Sequence, residues 1–348
     1  MVILINLTHA ATVPAIFIFG DSTADVGTNN YLEISMLARA DYPHNGIDYP
    51  TMKPTGRFSN GFNGADYLAK LIGFRRSPPP FHALLNKTTP LRRHIFTGVN
   101  FASGGSGIIF GTGSFLGKVV SLGEQIEQFE TVRGNLTELL GSAAATDAFL
   151  SESLFFISVG SNDIFDYFLD NTKPNMSEFM TKLSRTYEEH LKRLFKLGAR
   201  KFGIVSTPPI GCCPSKRASN ETGGCLEILN DYSRAFYSTT ECLLIKLSSE
   251  LKGMKYALGN AFEMVTNIMD NPLPYGFKNI TSACCGGGKF NGGNPCLKTA
   301  DVCWNRHEYL FWDWYHPTAA AANLSALTLY GGAPRFVTPI NFRQLAEA

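Results

Sequence analysis

Ala15-Ile16-Phe17-Ile18-Phe19-Gly20-Asp21-Ser22-Thr23-Ala24-Asp25-Val26-Gly27 is a short, wholly apolar run cut by a glycine and followed at once by polar residues. The run is too short for a helical pattern and has no polar alternation, so it predicts a strand buried on both faces. Similar runs occur at Phe96–Ala102, Leu154–Val159 and Lys201–Ser206, with a shorter one at Tyr256–Leu258. Between them lie stretches with apolar residues at helical spacing: 121–134, 177–197, 225–251 and 261–269, then an Ala-rich helix over Pro317–Tyr330. Strands alternating with helices predict βαβ units and an α/β fold with a parallel sheet. Residues 1–15 read as a signal remnant or N-terminal extension, and 16–348 as one domain. The Gly- and Cys-rich stretch 271–305 predicts an irregular loop stapled by disulfides.

The 348 residues carry 31 Lys+Arg and 29 Asp+Glu, a net charge of +2, with no clustered basic excess, which argues against a nucleic-acid partner. Hydrophobic residues at 44% and charged residues at 17% exclude a disordered chain. No apolar stretch reaches the roughly 18 residues needed to span a membrane.

Eight cysteines fall in the C-terminal part of the chain, at 212, 213, 225, 242, 284, 285, 296 and 303. None form a C-x-x-C pair, so zinc and thioredoxin readings are poor. The even count predicts disulfides: one of Cys212/Cys213 with Cys225, the 284/285 doublet with Cys296 and Cys303, and Cys242 with the remaining member of the first doublet. Seven N-x-S/T sequons stand at Asn6, Asn86, Asn135, Asn175, Asn220, Asn279 and Asn323, against roughly three from random placement. Together these features predict a secreted glycoprotein.

In a parallel sheet, chemistry collects at the carboxyl ends of the strands. Ser22 follows the first strand at the head of an expected helix, where its own N–H can stabilise an oxyanion; the same residues also suit a helix cap. In Trp312-Asp313-Trp314-Tyr315-His316-Pro317, a carboxylate three residues before an imidazole can bond Nδ1 and leave Nε2 as a base. Pro317 suits the first helical position, which would set His316 at a helix N-terminus. Asn162, in Gly160-Ser161-Asn162-Asp163, offers an amide just past the third run, or simply shapes a turn. The loop Asn100–Gly107 offers backbone N–H groups. There is no G-x-G-x-x-G, no G-x-S-x-G and no H-E-x-x-H, so neither a dinucleotide site, a nucleophile elbow nor a tight zinc site is expected.

These blocks, with Thr55-Gly-Arg-Phe-Ser-Asn-Gly61 and Cys284-Cys-Gly286, come in an order that resembles the GDSL esterase/lipase family of SGNH hydrolases, in particular its plant branch. The resemblance covers about residues 15–330. It implies a flavodoxin-like three-layer α/β/α fold with a parallel central sheet, and a triad of Ser22 as nucleophile, His316 as base and Asp313 as its orienter. It also implies an oxyanion hole from the Ser22 N–H, the Asn162 amide and a glycine of the 104–107 loop, with Gly105 preferred on register. Two departures are Thr23, where the family name has Leu, and Ala319, where many plant members have Glu.

The function implied is a secreted carboxylesterase or lipase working through an acyl-enzyme on a small-molecule or lipid acyl ester. It needs no cofactor, metal, nucleic-acid partner or integral membrane contact. Transfer of the acyl group to an alcohol acceptor and a non-catalytic cell-wall binding protein are the alternatives. Specificity is expected in loops 40–60, 75–95 and 271–305. Pro78-Pro-Pro80 reads either as part of an acyl groove or, preferably, as a stiff surface loop.

Overall fold

A computed structural model describes residues 11–85, 91–170 and 175–348. Four strands form a parallel sheet in chain order: β1 (Ile16–Gly20), β2 (Leu154–Ser158), β3 (Lys201–Val205) and β4 (Lys255–Gly259). Their carboxyl ends stand in one register row, Gly20–Ser158–Val205–Gly259. The helices before β2 are α1 (Gly64–Ile72), α2 (Phe81–Leu84), α3 (Leu91–His94), α4 (Leu122–Leu140) and α5 (Ala143–Glu152). Next come α6 (Ser161–Leu169), α7 (Met176–Lys196), α8 (Pro214–Ser219), α9 (Glu227–Glu250) and α10 (Ala261–Asp270). After β4 the chain forms β5 (Asn279–Ala283), β6 (Cys285–Gly286), β7 (Asp301–Val302) and β8 (Tyr309–Phe311). It ends with α11 (Ala319–Gly331), β9 (Val337–Thr338), antiparallel to β4, and α12 (Phe342–Glu347).

Strand alternation splits the core into two layers. Phe17, Phe19, Phe155 and Ile157 pack with α4, α7 and α9, whereas Ile16, Ile18, Leu154 and Phe156 pack with α1, α11 and α12. Both faces of the sheet are therefore covered, as the apolar runs require. Thr12 donates to the Ile72 carbonyl and Val13 is buried in the second layer, so the residues just before β1 are packed as well.

The run at 96–102 does not form a regular strand. It follows β1 in parallel, with Phe101 N–H on the Ile18 carbonyl and Ser103 N–H on that of Gly20, but makes a single bridge to β1, Ile18 to Asn100. Gly98 interrupts it at φ 110°, where a Cβ would fall 1.9 Å from the Ile16 carbonyl oxygen. Counting this segment second gives the flavodoxin-type strand order 2-1-3-4-5, with the switch point at β1.

Four further expectations change. No α-helix starts at Ser22, because the Asp21 carboxylate takes the Thr23 N–H and turns the chain; the first helical turn is the short 3-10 segment Thr28–Tyr31. α11 starts at Ala319, since the Thr318 side chain caps it by accepting from Ala321; Pro317 precedes the cap, and His316 is not at the helix terminus. α4 runs through Gly134 to Leu140, because that glycine lies on open surface with nothing crowding it. The 271–305 stretch is not wholly irregular, since it contains β5, β6 and β7.

Three disulfides join Cys212–Cys225, Cys284–Cys303 and Cys285–Cys296. The expected fourth is absent: Cys213 is buried and free, whereas Cys242 is free on the exposed side of α9. Asn6 and Asn86 lie outside the described residues. Among the described residues no helix is long and apolar enough to cross a membrane.

Candidate active site

Ser22 sits two residues beyond β1, in a turn fixed by the buried Asp21. The Asp21 backbone N–H binds the Ser158 carbonyl of β2, and its carboxylate accepts from the Thr23 N–H and Oγ1 at 2.9 and 2.8 Å. Burial pushes the Asp21 carboxyl above its ordinary range. Thr23 Oγ1 also meets Ser158 Oγ at 2.9 Å, so threonine in place of leucine ties this turn to the next strand.

From the far end of the sequence, β8 delivers the loop with Asp313 and His316. Asp313 Oδ1 accepts the N–H groups of Tyr315 and His316 at 2.9 and 2.8 Å, which folds the loop around the carboxylate. Both carboxylate oxygens lie 2.8 Å from His316 Nδ1, and His316 Nε2 lies 2.8 Å from Ser22 Oγ. Asp313 and His316 are buried, and Phe58 lies against the imidazole with ring centroids 4.8 Å apart. The arrangement fixes the ring so that Nε2 faces a hydroxyl, the geometry of base-activated nucleophilic attack.

The Thr55–Gly61 block acts as scaffold. Arg57 is buried against Asp66 at 2.6 and 2.8 Å and also donates to the Val26 carbonyl and Thr55 Oγ1. Asn60 Oδ1 accepts the Ala319 N–H, fixing the start of α11 just beyond His316.

Asn162 stands on the first turn of α6 and donates from Nδ2 to the Ser106 carbonyl at 2.9 Å. Gly105 has φ 87°, and a Cβ there would come 2.9 Å from Leu116 Cδ1. The Gly104 N–H is taken by Asp25 Oδ2 at 3.0 Å. Among the described residues no hydrogen bond engages the backbone N–H of Ser22 or of Gly105. Ser22, Gly105, Asn162 and His316 line one cavity of about 330 Å³, within the range of small-molecule sites.

Several positioning groups gave little sequence signal. Asp163 grips the glycine loop from one side, accepting from Ile108 N–H, Ile109 N–H and Thr112 Oγ1 at 2.9, 2.9 and 2.8 Å. Asp25 holds it from the other side and also accepts from Gly27 and Thr28. Burial pushes both carboxyls up to about 6. Gln125, wholly buried on α4, bonds both backbone groups of Gly20 and also Ser106 Oγ. Asx-type turns announce Asp25; nothing in the local sequence marks Gln125.

The cavity departs from the expected specificity loops. Among the described residues of 40–60, 75–95 and 271–305, only Phe58 lines it; most of the rest of the wall comes from strand ends and the loops that follow them, the glycine loop, α6, α10 and α11. Pro78-Pro-Pro80 does not line it.

The sequence model of the GDSL-like lipase/acylhydrolase family matches residues 16–329. A GDSL esterase/lipase of Arabidopsis thaliana is 40% identical over 345 residues, covering 97% of this chain and 91% of its own. A second from the same plant is 36% identical over 345 residues, covering 96% and 91%, and GDSL esterase/lipase 7 is 34% identical over 349 residues, covering 97% and 93%. With its strand order, its buried Ser–His–Asp arrangement and these matches along nearly its whole length, the chain belongs to the GDSL lipase/acylhydrolase family of carboxylic ester hydrolases.

Proposed function

We propose that this protein is a secreted serine carboxylesterase or lipase in which residues 16–348 work as one domain. Ser22 Oγ attacks an ester carbonyl while His316 Nε2 takes its proton, and Asp313 orients the ring and stabilises the imidazolium. The developing oxyanion is held by the N–H groups of Ser22 and Gly105 and by the Asn162 amide. His316 then protonates the leaving alcohol, and a water deprotonated by the same histidine releases the acid from the acyl-enzyme.

One observation carries the reading: an unbroken chain of 2.8 Å contacts from Ser22 Oγ through His316 to Asp313. The free N–H of Gly105, against the engaged one of Gly104, supports the choice between the two glycines. Three disulfides support an oxidising compartment.

The test is covalent labelling with a fluorophosphonate, read by intact mass and by hydrolysis of a nitrophenyl ester. One adduct on Ser22, with both labelling and turnover lost in Ser22→Ala, is expected. Full turnover in Ser22→Ala would remove the serine from the mechanism.

A further inference from the structure

We infer that the cavity behind Ser22 is an acyl channel that takes one unbranched alkyl chain of medium length, laid across the carboxyl edge of the sheet. The inference rests on the acyl-enzyme reading above.

The path follows from strand register. The row Gly20–Ser158–Val205–Gly259 crosses the four parallel strands at their carboxyl ends. Ser158 and Val205 belong to central strands, where neighbouring residues are fully buried, yet both keep some exposed surface because they line the cavity floor. Val205 faces the same side as Gly203, whose site a Cβ could occupy only against Phe342 of α12. The floor therefore lies on the side covered by α11.

α11 supplies the roof. It leaves the His316 loop, lines the cavity with Ala322, and reaches the far end at Leu329. A Cβ built on Gly259 would fall 2.2 Å from Leu329 Cδ2 and 3.5 Å from Met264 Cε, so these two side chains close the channel over β4. From β1 to β4 is three inter-strand spacings, roughly 14 Å. An extended alkyl chain of ~1.5 Å C–C bonds advances about 1.25 Å per carbon, which sets the capacity near eleven carbons.

The chemistry of the wall selects the occupant. The ionisable lining groups come from the β1 turn, α6, the α8 segment and the His316 loop; α10 and α11 contribute none. Hydroxyls on this stretch are few and two are already engaged, Ser158 Oγ with Thr23 Oγ1 and Ser206 Oγ, which accepts the Ala261 N–H at 3.2 Å; α11 adds only Ser325. A hydroxylated or charged acyl group would lose its water there for few new partners, whereas an alkyl chain loses nothing. The opposite mouth is rimmed by Leu37, Phe115 and Leu169, which are 47%, 72% and 61% exposed and leave room for the alcohol portion.

The experiment measures kcat/KM for nitrophenyl esters from acetate to hexadecanoate, per site titrated with a small ethyl fluorophosphonate. The expected wild-type profile rises with each methylene, by up to about fourfold, peaks at ten to twelve carbons and falls beyond. Val205→Phe, which blocks the floor at β3, should move the peak at least four carbons shorter. Val265→Phe, on the α10 wall, is the second blocking variant, should the first not fold. Leu329→Ala should move the peak longer. A wild-type optimum at acetate to butyrate, or an unmoved peak in a blocking variant with normal titre, overturns the channel but leaves the acyl-enzyme standing. Turnover in Ser22→Ala overturns both.

Discussion

Asp163 holds the Ile108 amide 55 residues away while its neighbour Asn162 bonds the Ser106 carbonyl, so two adjacent residues of α6 fix both backbone polarities of the glycine loop. Loop and helix are thus positioned as one unit around Gly105.

The burial that raises Asp163 to about 6 fixes a sign. Its folded pKa lies above the ordinary 3.8, so between pH 4 and 6 the native state binds the extra proton and wild-type stability falls as pH rises. Asp163→Asn lacks this dependence. Between pH 4 and 7, the stability of the variant relative to wild type should improve by about 2 kcal/mol. Urea unfolding at both pH values measures it, and a pH-independent difference would mean that Asp163 stays ionised throughout. Because Asn keeps one acceptor oxygen but presents an N–H to the other of the Ile108 and Ile109 amides, kcat per titrated site should also fall.

Asn162→Ala should lose about 10²–10³ in kcat with KM within a few-fold, because the amide is worth more to a full oxyanion than to a ground-state carbonyl. The variant also releases the Ser106 carbonyl, so its Tm should drop by a few degrees. Measuring kcat against active-site titre separates the two effects. Near-wild-type kcat in the folded fraction would leave Asn162 a purely structural role.

Breaking the Arg57–Asp66 pair by Arg57→Ala leaves a carboxylate with no exposed surface uncompensated, at a cost of about 3–5 kcal/mol. Asp66 would keep only the Asn63 N–H bond of the α1 capping box. Thermal unfolding should show the loss, and an unchanged Tm would show that the pair carries no net stability.

Thiol counting checks the cysteine assignment. Native protein should titrate one thiol, Cys242, and denatured non-reduced protein two, adding Cys213. The Cys284–Cys303 and Cys285–Cys296 bridges hold a segment whose 284 and 285 amides bond the carbonyls of Phe311 and Trp312. Mild reduction should therefore lower the rate before far-UV circular dichroism changes. Loss of both signals together would place these bridges in the global fold instead.

The strands were legible in the sequence because continuous apolar runs ended by glycine have few other uses, and the ends of β1 and β2 pointed directly at Ser22 and Asn162. Asp313 and His316 were legible because three residues is the reach of a carboxylate around a turn. The edge segment at 96–102 misled because its apolar content matches a strand, whereas Gly98 breaks the backbone pairing. Cys213 misled because cysteine counts carry parity but not position: its place in the cavity wall keeps it from the exposed Cys242. The cavity wall was invisible, since Ala322 and Val205 read as ordinary core until the register row and the path of α11 set them opposite each other.

Ser22 and His316 meet across 294 residues of chain. During synthesis the serine leaves the ribosome early, whereas its base arrives only when the polypeptide is nearly complete. On the proposed mechanism, the growing chain for most of its synthesis carries the Ser22 hydroxyl without the imidazole that would take its proton. The same mechanism implies that a product cut anywhere before Asp313 should be silent toward esters, so the order of residues along the chain would itself guard against premature activity.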